Sequence, residues 1–418
     1  MLNQRNINIE NYREFVTNTL DCEKYFLEIK DGRKEPQITA DVVAKSIFYG
    51  LSMGIESLLE LDNFVKTHDL AISLGLKKAE PSKPLLSDST VTRSLTTMRM
   101  EEVRKLMIHM AKKILDEFED AGMIGKFRTA AIDKSTIAGI PVVVCRLVGS
   151  VVQINLDFEA FKEGDNEVEA AKRLFDRVRE DWGWLIDLYV VDGLYTQWFI
   201  NRVLKSQRRD KAVNVVVKSR EKDLNLTKQV EELVQVNKNF SVMPGKFTDE
   251  DCFKEVYFME FNVDDQALDG KIRVIKVWEQ EIKGKKLKDE YYLITTLGKD
   301  AASAKLVCKI GRGRWGIENN CFRQTSQNMN GKHQFCKDNN ASQAMVAFIL
   351  LAEECFSAFV HYFDKANQTK RSKKLTIRFL MRSVRESVTQ MDFKTQQPKE
   401  DSKQLLLFPR RFLASQAM

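Results

Sequence analysis

The sequence predicts an α/β protein: a mixed or parallel sheet with flanking helices, preceded by a helical region and carrying a β-rich insertion. Three patterns predict it. Apolar residues recur at helical spacing through the first 122 residues, short β runs alternate with helices from Phe127 to Lys218, and strand follows strand from Phe253 to Leu297. The chain divides accordingly into residues 1–122, 123–222, 223–298, 299–366 and 367–418.

In the first region Thr39 is placed to cap a helix running through Val42 towards Phe64. Past the turn-rich Glu80-Pro81-Ser82-Lys83-Pro84, Ser87 or Asp88 caps a short helix. A long amphipathic helix, Glu101 to about Phe118, follows with Val103, Met107, Met110 and Ile114 on its apolar stripe. The short helix carries hydroxyls and one arginine, Arg93, between apolar anchors. That composition suits the DNA-contacting helix of a helix-turn-helix and equally suits a plain surface helix.

In the second region Phe127 to Asp133 reads as a strand ending in an acid. Pro141–Leu147 and Ser150–Asp157 are two further strands joined by a turn at Gly149. Asn166 caps a helix from Glu167 to about Glu180, with Glu169 at the capping-box position. A second apolar run, Trp184 to Asp192, also ends in an acid, before a turn at Gly193. The helix Tyr195–Leu204 and the strand Ala212–Lys218 complete the alternation, and Trp182, Trp184 and Trp198 are expected in the core.

After a short helix near Gln229–Val234, strands at Phe253–Phe261, Ile272–Ile282 and Asp289–Leu297 form the insertion. Helices return at Asp300–Ile310, around Glu318 and at Ala341–Phe363. The basic stretch from about Asn367 reads as a partly mobile tail.

Composition bounds the function classes. Lys+Arg 66 against Asp+Glu 59 gives +7, mild for 418 residues, so contact with a polyanion depends on where the charge lies. Two segments are locally basic, each with eight Lys/Arg: Arg202–Lys222, with the acids Asp210 and Glu221, and Lys365–Arg385, with none. The seven scattered cysteines make no Cys-x-x-Cys pair, and no apolar run follows Met1, so a reducing, cytoplasmic setting is expected. The apolar run Ala344–Ala352 is about half a membrane span and precedes Glu353-Glu354, so it reads as a core helix and no membrane partner is expected.

The chemistry centres on the stretch from Gly311 to Arg323. If it is helical from Arg314, then Arg314, Glu318 and Phe322 line one face at i, i+4 and i+8. Asp133 and Asp192 are each the polar end of an apolar strand, where open α/β sheets place their ligands. Asp187 stands five residues before Asp192 and so faces the other way, and Glu169 is expected to cap its own helix. Carboxylates without histidines favour magnesium or manganese over zinc. A pair of such ions, ~3.5 to 4 Å apart, can activate a hydroxyl and stabilise a leaving oxygen in phosphoryl displacement. Arg314 is placed to hold the phosphate or to orient Glu318.

Two other patterns are set aside. Gly311-x-Gly313-x-x-Gly316 matches a dinucleotide fingerprint but follows a helix rather than a strand, so no nucleotide cofactor is expected. Cys321, His333 and Cys336 lack the regular pairing of a zinc site.

Ala131-Ile132-Asp133, Val190-Val191-Asp192-Gly193 and Arg314-Trp315-Gly316-Ile317-Glu318-Asn319, in that order, resemble the motifs of DDE-type transposases of bacterial insertion sequences, in particular those with a β-rich insertion before the Glu. Asp133 and Asp192 stand 59 positions apart, and Glu318 follows after a further 126. The resemblance implies a ribonuclease-H-like core and two magnesium or manganese ions held by Asp133, Asp192 and Glu318. It also implies an N-terminal DNA-binding region and a homodimer on DNA that cleaves transposon ends and joins them to target DNA. In the family signature Tyr-x2-Arg-x3-Glu-x6-Lys, Arg314 and Glu318 match, while Gly311 and Thr325 stand at the Tyr and Lys positions. Arg312, Arg323, Lys332 and His333 are the neighbours expected to supply those DNA contacts. A catalytically silent DNA-binding derivative would bind without cutting, and a nuclease of the same fold would hydrolyse without joining.

Overall fold

The apolar runs of the second region assemble into one mixed sheet. A computed structural model of the chain describes residues 7–65, 86–206, 213–222, 224–239, 245–249, 254–265, 270–281, 287–366 and 376–395. The strands are β1 (Met123–Ile124), β2 (Phe127–Ile137), β3 (Ile140–Leu147), β4 (Ile154–Ala160), β5 (Leu188–Asp192), β6 (Asn214–Ser219), β7 (Gly245–Asp249), β8 (Lys254–Asp265), β9 (Gly270–Glu281) and β10 (Leu287–Thr295). Their order is β4-β3-β2-β5-β6-β10-β9-β8-β7, with β1 against β2. β2, β3 and β4 form an antiparallel meander, and β5 and β6 add in parallel beside β2. Tyr189, Val190 and Val191 of β5 and Val215, Val216 and Val217 of β6 are fully buried, as parallel strands covered on both faces require.

Two expectations change here. β2 does not end at Asp133. It continues to Ile137 and turns through Ala138 and Gly139, both at positive φ, into β3. Its pairing with the parallel β5 does stop earlier, at Ala131↔Val190, so Asp133 lies just past the point where β2 parts from β5. The β-rich segment also does not stand apart from the core, because β10 pairs antiparallel with β6 (Leu293↔Lys218, Ile294↔Val217) and extends the same sheet. That pairing joins strands far apart in the chain, which no local pattern displays. The helix before β7 is longer than expected, spanning Asn225–Asn239.

The elements of the first region, among its described residues, are all helices: Ile9–Glu14 with the π-helical Phe15–Thr19, Glu23–Glu28, Ala40–Ser52, Leu58–Val65, Asp88–Thr97 and Met100–Glu117. The single helix expected towards Phe64 is broken at Gly54, whose φ of 73° suits the turn between two helices. Ser87 caps Asp88–Thr97 by accepting from the Thr90 N–H. Met100–Glu117 buries Val103, Met107, Met110 and Ile114, as its spacing predicts.

The long helix Asn339–Ala366 ties these helices to the sheet. It is long and apolar enough to cross a membrane, but 89% of its apolar window is buried among the other elements. At its start Asn340 donates to the carbonyls of Leu95, Thr96 and Met98, satisfying groups left open at the end of helix Asp88–Thr97. The C-terminal stretch is not all tail. Ile377–Thr395 is a helix whose Leu380, Met381, Val384 and Val388 are buried. Ser387 Oγ accepts from the Ile9 N–H, and Arg385 pairs with Glu60. Its lysines and arginines masked an amphipathic helix. Residues 367–375 and 396–418, and Arg208, Arg209 and Lys211 of the other basic segment, lie outside the described residues. Trp182 is buried as expected and Trp198 half-buried, but Trp184 is 61% exposed.

Candidate functional site

The helix Ala304–Gly313 lies so close to the sheet that its glycines are a packing requirement. A Cβ on Gly311 would come within 2.6 Å of Leu293 Cδ2, and one on Gly313 within 2.4 Å of Ile124 Cδ1. The dinucleotide-like pattern is therefore explained by helix–sheet approach. This seating delivers Arg314 and then a π-helical turn, Ile317–Phe322, which carries Glu318. Phe322 is half-buried against the core.

Arg314 Nη1 lies 2.6 Å from Asp133 Oδ2 and 2.8 Å from Glu318 Oε1. One guanidinium nitrogen thus joins two carboxylates that are 185 positions apart in the chain. Arg314 is 9% exposed, and its Nε has no hydrogen-bond partner among the described residues. Burial pushes the Asp133 carboxyl up to about 7. Arg314 and the Lys134 N–H, which donates to Oδ1 at 2.9 Å, pull it down, while Glu318 and Asp192 raise it further. Asp133, Asp192 and Glu318 therefore share one field.

Asp192 ends β5 and is exposed, and the chain turns away at once through Gly193–Tyr195. With Lys218, Arg220, Arg314, Trp315 and Glu318 it lines a cleft of about 410 Å³. The cleft is divided by charge. Asp192 and Glu318 face it from β5 and the π turn, while Lys218 and Arg220 enter from the end of β6.

Buried polar groups support this arrangement from behind. Arg146 pairs with Glu353 at the heart of the fold, and its Nη1 donates to Asn155 Oδ1 at 2.7 Å. Cys321 Sγ, in the turn that carries Glu318, lies 3.5 Å from the same Asn155 oxygen. On the other side the Tyr195 hydroxyl donates to Glu167 at 2.6 Å, and Lys134 lies 3.6 Å from Glu167.

The remaining sequence candidates are not among the residues that line the cleft. Arg312 is engaged by Glu279, at 2.8 Å, and by Asp249, strand residues whose arrival beside it was not visible locally. Arg323 is exposed on the helix after the π turn. Lys332 and His333 are exposed in the loop that meets the β2–β3 turn, where Gly331 O accepts from the Ala138 N–H. Arg93 is exposed on helix Asp88–Thr97. Gly311 and Thr325, which depart from the signature, are both buried. Asp187 precedes β5 and accepts from the Arg128 N–H, at the opposite end of the strand from Asp192. Asn166 caps its helix through the Glu169 N–H, while the Glu169 carboxylate pairs with Lys172. Cys321, His333 and Cys336 form no metal-holding group among the described residues. Lys218 was missed as an individual residue, although it stands one residue before the end of the third parallel strand, in register with Asp192 at the end of the second.

Does this site fit divalent cations? The donor set is oxygen-only, and Asp133 is a buried carboxyl whose charge is incompletely compensated, both of which suit a hard cation. The arrangement does not. Arg314 stands between Asp133 and Glu318, and among the described residues no group of three or more His, Cys, Asp or Glu side chains is gathered closely enough to hold an ion.

No family model and no curated protein matches the sequence. Among solved structures the chain is similar to a piggyBac transposase in a synaptic complex with hairpin DNA, determined by cryo-electron microscopy. The similarity covers 99% of this chain and 85% of that one, with 12% identity and a TM-score of 0.42.

Proposed function

We propose that the protein is a DNA transposase of the Asp-Asp-Glu type, acting on DNA at the cleft lined by Asp192, Arg314 and Glu318, with Asp133 paired to Arg314. The observation that carries this reading is the meeting of Asp133 and Glu318 on Arg314, beside the end of β5 where Asp192 projects. The order β4-β3-β2-β5-β6, an antiparallel meander with two parallel strands added beside its first strand, supports a ribonuclease-H-like core. In this reading Arg314, with its unpartnered Nε, turns to a DNA phosphate. Asp133, Asp192 and Glu318 would hold magnesium or manganese ions only with Arg314 withdrawn from the two carboxylates, and the ions would activate a hydroxyl and stabilise the leaving oxygen. The partners are transposon ends and target DNA, engaged by a homodimer in the cytoplasm.

One observation favours a second reading. The pairing of Arg314 with both carboxylates is also what a catalytically silent DNA-binding protein would keep. The test is a cleavage and strand-transfer assay on DNA from the flanks of the coding region, with magnesium or manganese against EDTA. Metal-dependent cutting and joining, abolished in Asp133→Ala, Asp192→Ala and Glu318→Ala, supports the transposase. Binding without cutting supports the silent reading, and hydrolysis without joining indicates a nuclease.

A further inference from the structure

We propose that Lys218 is a phosphate-binding residue, its ammonium set in the cleft opposite Asp192 and Glu318 to take a backbone oxygen of bound DNA. This rests on the reading of the cleft as a DNA-processing site. Lys218 is the register partner of Asp192 on the neighbouring parallel strand, so the ends of β5 and β6 bring a cation and a carboxylate to one opening. Its side chain is only 7% exposed and yet lines the cleft. The ammonium lies 4.0 Å from the centre of the Tyr291 ring and 5.1 Å from that of Trp315, so aromatic walls hold it in place. The Tyr291 hydroxyl donates to Glu279 at 2.7 Å, which fixes that ring.

Its charge is poorly matched. Asp289 Oδ2 stands 3.9 Å away, and the same oxygen already accepts from Arg220 at 2.8 Å. Burial lowers the Lys218 pKa, and Asp289 and Glu279 only partly oppose this. A desolvated ammonium costs free energy unless a partner compensates it. A phosphodiester in the cleft supplies that partner, beside Arg314, which lines the same cleft. Arg220, 64% exposed, extends the same positive wall to the rim. A lysine whose role was only to pack against Tyr291 would leave DNA affinity untouched, which separates the two roles.

The experiment measures binding of the full-length protein to a short fluorescent duplex of arbitrary sequence over a series of salt concentrations, in EDTA. Thermal unfolding of each variant is followed in parallel. Lys218→Met is expected to weaken binding several-fold and to flatten the log–log salt dependence by about 0.9, the counterion release of one phosphate contact, while Lys218→Arg keeps the wild-type slope. Wild-type slope and affinity in a folded Lys218→Met protein overturn the inference. Should that variant not fold, Asp289→Asn decides: it frees Lys218 and Arg220, so tighter binding supports the inference and unchanged affinity overturns it. If the wild-type protein shows no salt-dependent duplex binding, the DNA-processing reading itself fails and this inference falls with it.

Discussion

Replacing Asp133 by asparagine removes a carboxyl that the fold buries at a cost. The group is raised from its ordinary value of 3.8 to about 7, chiefly by burial, with Arg314 only partly offsetting it. At ~1.36 kcal/mol per pH unit, ionised Asp133 makes the folded state less stable by about 4 kcal/mol. Between pH ~4 and 7 the folded protein holds a proton that the unfolded chain has released. The stabilising effect of that proton is therefore fully present below pH ~4 and is lost as the pH rises through about 7. Asp133→Asn should accordingly be more stable than wild type at pH 8 and indistinguishable from it at pH 4. Arg314 loses one acceptor but keeps Glu318, so the expected gain at pH 8 is about 2 to 4 kcal/mol. Urea unfolding of both proteins in EDTA at the two pH values measures it. A gain independent of pH, or no gain at pH 8, would refute the reasoning.

Three further outcomes follow from the same geometry. Glu353→Gln leaves Arg146 buried without its counter-charge and should cost about 3 to 5 kcal/mol in urea unfolding, with lowered activity because Asn155 links this pair to the turn that carries Glu318. Gly193→Ala places a Cβ 2.8 Å from Ser219 Oγ and 3.2 Å from Ser219 Cα, so it should push β6 from Asp192 and cost about 1 to 3 kcal/mol, read by thermal unfolding beside the cleavage assay. Arg314→Met removes the cation that holds the Asp133 pKa down, so the pH window in which wild type loses stability should move upward, above 7, in an unfolding series across pH.

Much of the site could be read from local pattern because its parts are local. Asp192 terminates a continuous apolar run, and the Arg314–Glu318 pair follows from helical spacing alone. Asp133 was found for an incomplete reason. It marks the parting of β2 from β5 rather than the end of β2, which the polar residues Lys134, Ser135 and Thr136 concealed. The features that could not be read depend on distant pairings. Lys218 becomes a buried cation only because β10 brings Tyr291 alongside β6. Arg312 is engaged only because β7 and β9 bring Asp249 and Glu279 to it. The contact between Arg314 and Asp133 likewise joins residues 181 positions apart in the chain.

The proposal that Asp133, Asp192 and Glu318 would form one cation site once Arg314 has withdrawn to bound DNA is tested most directly by iron-directed self-cleavage. Iron(II) added to the protein–DNA complex in place of magnesium, with ascorbate and peroxide, cuts the backbone nearest the ion. The account expects fragments ending near all three residues, dependent on DNA, competed by magnesium and lost in Asp192→Asn. Cuts confined to one of the three positions, or lying elsewhere in the chain, would contradict it.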